Sequence, residues 1–224
     1  MSKKSNEVVP CPDCQANVPF VLWQSLNAQL DPSAKEQLLN GSLFAATCPE
    51  CHATKDVLYP ILYHDMTNQV MIALTLDDEM AEEYYKVFAS KDAKPGLDFM
   101  GEMNRTYRYR FVRNPNELRE KVMIFDLGLD DRIVEIAKVM FEAKFYESHP
   151  GRKVLGVFFS HIAETNDAYE LRIVLEDNYV AEIKLRFETY KMLSARFADV
   201  DILSQGCFTI DRNWAVEALR DKSE

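Results

Sequence analysis

Short apolar runs and alternating stretches divide the chain into elements of two kinds. Val18–Trp23 (VPFVLW), Asp56–Tyr63 (DVLYPILY) and Val70–Thr75 (VMIALT) have strand length and strand composition. The last two predict a hairpin joined by His64–Gln69, with Pro60 marking an edge or a bulge. Between the first pair, Asp31-Pro32-Ser33 opens a short helix carrying Leu38 and Leu39, which Asn40-Gly41 stops. Asp77–Ala89 then switches to helical spacing, with Met80, Tyr84, Val87 and Phe88 on one side. Ser90–Met103, holding Lys91, Asp92, Pro95 and Gly96, reads as a linker.

The second half is patterned more strongly. Tyr107–Val112 alternates as a strand, and Asn114-Pro115-Asn116-Glu117 combines a capping Asn, a first-turn Pro and a Glu three residues after the cap. That helix runs through Leu118, Val122 and Phe125 to Gly128, and a second starts at Asp130 or Asp131 and buries Ile133, Ile136, Ala137, Met140 and Phe141. An apolar strand at Val154–His161 precedes a hairpin in which Leu171, Ile173 and Leu175 alternate with Arg172 and Glu176, and, after an Asp177-Asn178 turn, Ala181, Ile183, Leu185 and Phe187 alternate with Glu182, Lys184 and Arg186. A helix at Thr189–Ala198 and a short segment with Phe208, Ile210 and Trp214 follow. The fold class is α+β: a zinc-ribbon-like β domain at 1–76, a helix and linker at 77–103, and an α+β domain with antiparallel strands and several helices at 104–224.

Charge and composition narrow the function classes. The 224-residue chain carries a net charge of −10 with pI near 5.0, which opposes whole-protein attraction to nucleic acid or anionic lipid. No run approaches the ~18 apolar residues that a membrane span needs. MSKKSNEVVP has a positive start without an apolar core behind it, so the cytoplasm is the expected compartment, where cysteines stay reduced.

Four of the five cysteines form two quartets, Cys11-Pro12-Asp13-Cys14 and Cys48-Pro49-Glu50-Cys51. Two cysteines spaced in this way can close a tight turn whose amides point back at both sulfurs, and a second such turn completes a four-thiolate shell. Thiolates suit Zn²⁺, or less favourably Fe. Four thiolates leave no open position, so the expected metal ligands Cys11, Cys14, Cys48 and Cys51 would hold a structural zinc and contribute folding energy. The residue after each quartet, Gln15 or His52, stands where such turns favour glycine.

Cys-Pro-x-Cys is also a thiol-redox spelling, but that chemistry wants a helix starting at the first cysteine. Pro19 follows the first quartet, and a strand-like sequence follows the second. Disulfide staples are disfavoured by the compartment. Cys207 beside Phe208 reads as a small buried hydrophobe.

Other candidate chemistry is weaker. Ser160 and His161 are strand neighbours and should face opposite sides. The carboxylates of Asp126–Asp131 and Glu135 could hold a divalent cation, although Asp130 and Asp131 suit a helix start better. Arg105, Arg108, Arg110 and Arg113, interleaved with Tyr107, Tyr109 and Phe111, could stack bases and pair phosphates. The same strand would equally face a core while its arginines pair with the acidic Asp77–Glu83 stretch.

The quartets, with Leu62-Tyr63-His64-Asp65 and Leu118–Ala137, resemble the CpXC-domain family of bacteria and archaea over roughly residues 5–140. That resemblance implies the metal site and supplies no reaction. The expectation is therefore a non-enzymatic zinc-binding protein that contacts another protein. A thiol-redox enzyme, or a nucleic-acid binder using the Tyr107–Arg113 strand, are the alternatives.

Overall fold

A computed structural model describes residues 2–89, 107–177, 179–200 and 206–222, without the side chains of 87–89. Contacts divide the chain into two units, Met1–Arg119 and Glu120–Glu224. The class is α+β.

The first unit is built on a mixed five-stranded sheet in the order β1-β2-β5-β6-β7. β1 (Lys3–Pro10) and β2 (Asn17–Asn27) form an antiparallel hairpin. The chain then passes through α1 (Pro32–Asn40), a 3₁₀ turn at Ser42–Phe44, and a small hairpin of β3 (Ala45–Thr47) and β4 (Thr54–Asp56). It returns as β5 (Ile61–Asp65), parallel to the end of β2, and turns into β6 (Val70–Leu74). After α2 (Asp78–Ala89), β7 (Arg108–Val112) joins parallel to β6. The core of this unit holds Phe20, Leu26, Leu38, Tyr63, Ile72 and Phe111.

Departures from the sequence reading have local causes. β1 is fully or half exposed along its length, so it carries no hydrophobic alternation and was not anticipated. β2 runs four residues beyond Trp23 because its polar end pairs with β5 through Ser25–Asn27. The single strand expected at Asp56–Tyr63 is two strands in different sheets: β4 ends at Asp56 and β5 starts just after Pro60, which cannot donate to a ladder. His64 consequently lies on β5 rather than in the hairpin turn. The fold is larger than a ribbon, since the first cysteine hairpin forms the edge of a five-stranded sheet, and no zinc-ribbon likeness is shown. The Ser90–Met103 linker and Arg105 lie outside the described residues.

α3 (Pro115–Asp126) starts at Asn114, whose side chain accepts the Glu117 N–H at 3.0 Å, and stops at left-handed Gly128. In the second unit, α4 (Asp131–Ser148), α5 (Phe187–Arg196) and α6 (Arg212–Asp221) pack with an antiparallel sheet in the order β10-β9-β8. Its strands are β8 (Val154–Ile162), β9 (Ala168–Leu175) and β10 (Val180–Arg186). One core joins Ile136, Phe159, Leu171, Ile173, Phe197 and Trp214. Asn178 of the expected Asp177-Asn178 turn lies outside the described residues.

Helix α4 corrects two core assignments. Met140 is exposed and Phe141 half-buried, while Glu135 and Glu142 are buried. Charge pairing reverses the order that hydropathy predicts: Glu142 receives Arg212 at 2.7 Å, and Glu135 receives Lys121 and Lys138.

Candidate metal centre

The two quartets form loops with the same build. Residues 11–16 join β1 to β2, and residues 48–53 join β3 to β4. In each, the first cysteine's N–H donates to the carbonyl of the sixth residue at 2.9 Å, Cys11 to Ala16 and Cys48 to Ala53. The N–H of the fifth residue returns to the first cysteine's carbonyl, Gln15 to Cys11 at 2.9 Å and His52 to Cys48 at 3.1 Å. That closure requires a left-handed fifth residue, with φ of 62° at Gln15 and 60° at His52. Proline at the second position costs nothing, because its missing N–H has no role in either bond. The repeat therefore extends to Ala16 and Ala53, a match the cysteine count alone passes over.

The loops bring all four sulfurs within 4.8 Å of one another. Cys11 Sγ and Cys51 Sγ are 3.6 Å apart, as are Cys14 Sγ and Cys48 Sγ. A tetrahedral ion bonded to sulfur at about 2.3 Å spaces its ligands about 3.8 Å apart, so the donor set fits one metal ion. Among the described residues, these cysteines are the His, Cys, Asp or Glu group of three or more that could hold one. Cys11 and Cys48 are buried, and Cys14 and Cys51 face solvent. Lys55 and Asp13 pair across the loops at 3.4 Å, a half-exposed contact of little energetic weight.

The free thiols compete for charge. Hydrogen bonding from the Cys51 N–H brings the Cys48 thiol down to about 7, against the opposing effect of burial. The Ala16 N–H also pulls on Cys14, but its thiol neighbours Cys51 and Cys48, together with burial, push it up to about 12. A divalent cation held by Cys11, Cys14, Cys48 and Cys51 would end this competition, because coordination deprotonates thiols outright. Neither quartet starts a helix: β2 follows the first and β4 the second. The helix N-terminus that activates a redox cysteine is missing from both.

Among the described residues, the Asp126–Asp131 and Glu135 carboxylates do not assemble a cation site. Asp130 caps α4, accepting the Arg132 N–H at 3.0 Å, while buried Asp131 accepts Lys121 at 2.9 Å. On β7, Tyr109, Arg110 and Phe111 are buried, and Arg110 donates to the Tyr109 carbonyl at 2.8 Å. Arg113 pairs with Asp78, as the acidic-stretch reading anticipates. Tyr107 meets His64 Nε2 at 3.0 Å. Cys207 is half-buried, with its thiol on the Thr209 carbonyl at 3.1 Å.

Ser160 and His161 do meet, contrary to strand alternation. An irregularity between Phe159 and His161 leaves Ser160 without a partner on β9, and Ser160 Oγ reaches His161 Nδ1 at 2.8 Å. His161 Nε2 lies 3.4 Å from Glu170.

The family model of the CpXC protein matches residues 9–138, more than half of the chain. The chain belongs to the CpXC family. No curated protein and no solved structure matches it. The match spans both cysteine loops and extends into α4 of this CpXC protein. Among its described residues, no helix is long and apolar enough to cross a membrane.

Proposed function

We propose that this CpXC protein binds one structural Zn²⁺ through Cys11, Cys14, Cys48 and Cys51, and that it works by contacting another protein rather than by catalysis. The observation carrying the first part is four sulfurs gathered within 4.8 Å by two identically bonded loops. All-sulfur donors favour zinc, and a filled four-thiolate shell leaves no position for substrate. The ion would clip the β1–β2 edge of the main sheet to the β3–β4 hairpin.

The contact role is supported by the surface beside that clip. Among the described residues β1 is an edge strand paired on one side only, and Val8, Val21 and Leu58 are exposed, Val8 by 62%. An edge strand with apolar neighbours suits pairing with an extended segment of another chain. The thiol-redox alternative has neither helix to activate it. The nucleic-acid alternative has Tyr109, Arg110 and Phe111 turned inward.

Metal analysis of protein purified without added metal should give about one zinc per chain. A stable, folded, metal-free protein overturns the zinc reading. For the contact role, cross-linking in the native cell should capture a protein partner through β1, and Val8→Glu should abolish the capture. Unchanged capture by that variant rejects β1 as the contact.

A further inference from the structure

The four sulfurs are unequal in a way that zinc binding does not use. Cys14 and Cys51 are open to solvent, whereas Cys11 and Cys48 are 2% and 1% exposed. Each exposed cysteine has the sulfur of a buried one 3.6 Å from its own, and that neighbour belongs to the other loop: Cys14 faces Cys48, and Cys51 faces Cys11. Four cysteines allow three disulfide connectivities. Two of the three cross between the loops, and the 3.6 Å contacts select Cys14–Cys48 with Cys11–Cys51.

We propose that Cys14 and Cys51 are peroxide-reactive modification sites, each resolved by the buried cysteine opposite it. The inference rests on the zinc reading above, which keeps all four sulfurs as thiolates. The oxidant is hydrogen peroxide or an alkyl hydroperoxide. An exposed thiolate attacks the terminal peroxide oxygen, the O–O bond breaks, hydroxide (or the alkoxide of an alkyl hydroperoxide) leaves, and the sulfur becomes a sulfenic acid. The facing thiolate then attacks that sulfur, the S–S bond forms, the S–O bond breaks, and hydroxide leaves. Each disulfide thus consumes two thiolates and one peroxide.

The first disulfide leaves the ion with two thiolates, and zinc departs. The loops remain cross-linked, so oxidation exchanges a metal clip for a covalent one between the same hairpins. Intra-loop bonds Cys11–Cys14 and Cys48–Cys51 would release zinc but leave the hairpins untied. This chemistry is stoichiometric and reversed by a thiol reductant. It needs no helix N-terminus, because the ion supplies the charge that keeps sulfur ionised.

The experiment treats the full zinc-loaded chain with hydrogen peroxide and follows released zinc with a chromogenic chelator. Disulfides are then mapped by mass spectrometry without reduction, and a dimedone-type probe traps sulfenic acids at early times. The expected result is release of about one zinc per chain, crossed bonds Cys14–Cys48 and Cys11–Cys51, and early probe labelling confined to Cys14 and Cys51. Cys207, held on the Thr209 carbonyl, is the internal comparator and stays reduced at the dose that empties the site. Intra-loop bonds, the other crossed pairing Cys11–Cys48 with Cys14–Cys51, labelling that starts at Cys11 or Cys48, or zinc retained while Cys207 is oxidised each overturn the proposal. Protein that carries no zinc as purified defeats the metal reading instead, and the same map on that metal-free chain still decides the connectivity.

Discussion

Cys48 has the strongest individual claim on the fold. Its sulfur is buried, it faces Cys14 at 3.6 Å, and its backbone closes the second loop twice. Cys48→Ser should reduce bound zinc from about one per chain to near zero and lower the melting temperature, whereas Cys207→Ser should alter neither. Metal content and thermal denaturation of the two variants check this. Asp65 carries a comparable load without any metal. Its buried carboxylate accepts Gln29 at 2.7 Å, the Thr67 and Asn68 N–H groups at 2.9 and 3.1 Å, Tyr63 at 3.1 Å and Lys35 at 3.2 Å. Burial would raise its pKa, but these donors outweigh it and hold the group at about 2, against an ordinary 3.8. A depressed carboxylate gives stability that is complete above the unfolded value and is lost as pH falls through the folded one. The loss therefore falls between about pH 4 and pH 2, and Asp65→Asn should cost about 2 kcal/mol at neutral pH and flatten that acid limb. Denaturant titrations at a series of pH values measure both effects.

Helices α3 and α4 show where pattern reading succeeds and where it stops. Their starts were legible because caps are local: Asn114, Glu117 and Asp130 bond within four residues. The charges between them were not, because all but the Glu135–Lys138 contact of this buried network join residues ten or more positions apart. Lys121 reaches Asp131 at 2.9 Å, Glu135 at 3.2 Å and the Ile210 carbonyl at 2.8 Å. Lys138 bridges Glu120 and Glu135 at 3.0 Å, and Glu120 accepts the Phe159 N–H of β8. Burial raises the Glu120 pKa, whereas the two lysines lower that of Glu135 against the same burial. Lys121→Met removes the ammonium that Asp131 and Glu135 share and should cost about 3–5 kcal/mol; adding Asp131→Asn should return part of that. Chemical denaturation of the single and double variants tests the pairing. The cysteine cluster was legible for the opposite reason, since both loops are six-residue units whose bonds are internal. The Ser160–His161 contact was hidden, because no spacing rule announces a strand irregularity.

Taken together, the chain couples one unit organised around cysteines to one organised around a conventional core and a buried charge network. Metal removal should act on these unequally. With a strong chelator, amide exchange should accelerate through residues 3–65, while the core strands and helices of residues 120–222 keep their protection. Uniform loss of protection along the chain would contradict that division. The second cysteine loop also sits inside the connection between β2 and β5, two parallel strands whose pairing sets Ser25 against Leu62. Such pairing is slow because a long connection must close first, and an ion joining the loops shortens it. Each halving of a loop relieves only about 0.6 kcal/mol, so zinc should hasten refolding by no more than about threefold. Nearly all of its stabilisation must then appear as slower opening. In stopped-flow measurements, chelation should leave the refolding limb almost unmoved and raise the unfolding rate by orders of magnitude, making metal loss a matter of protein lifetime rather than of maturation.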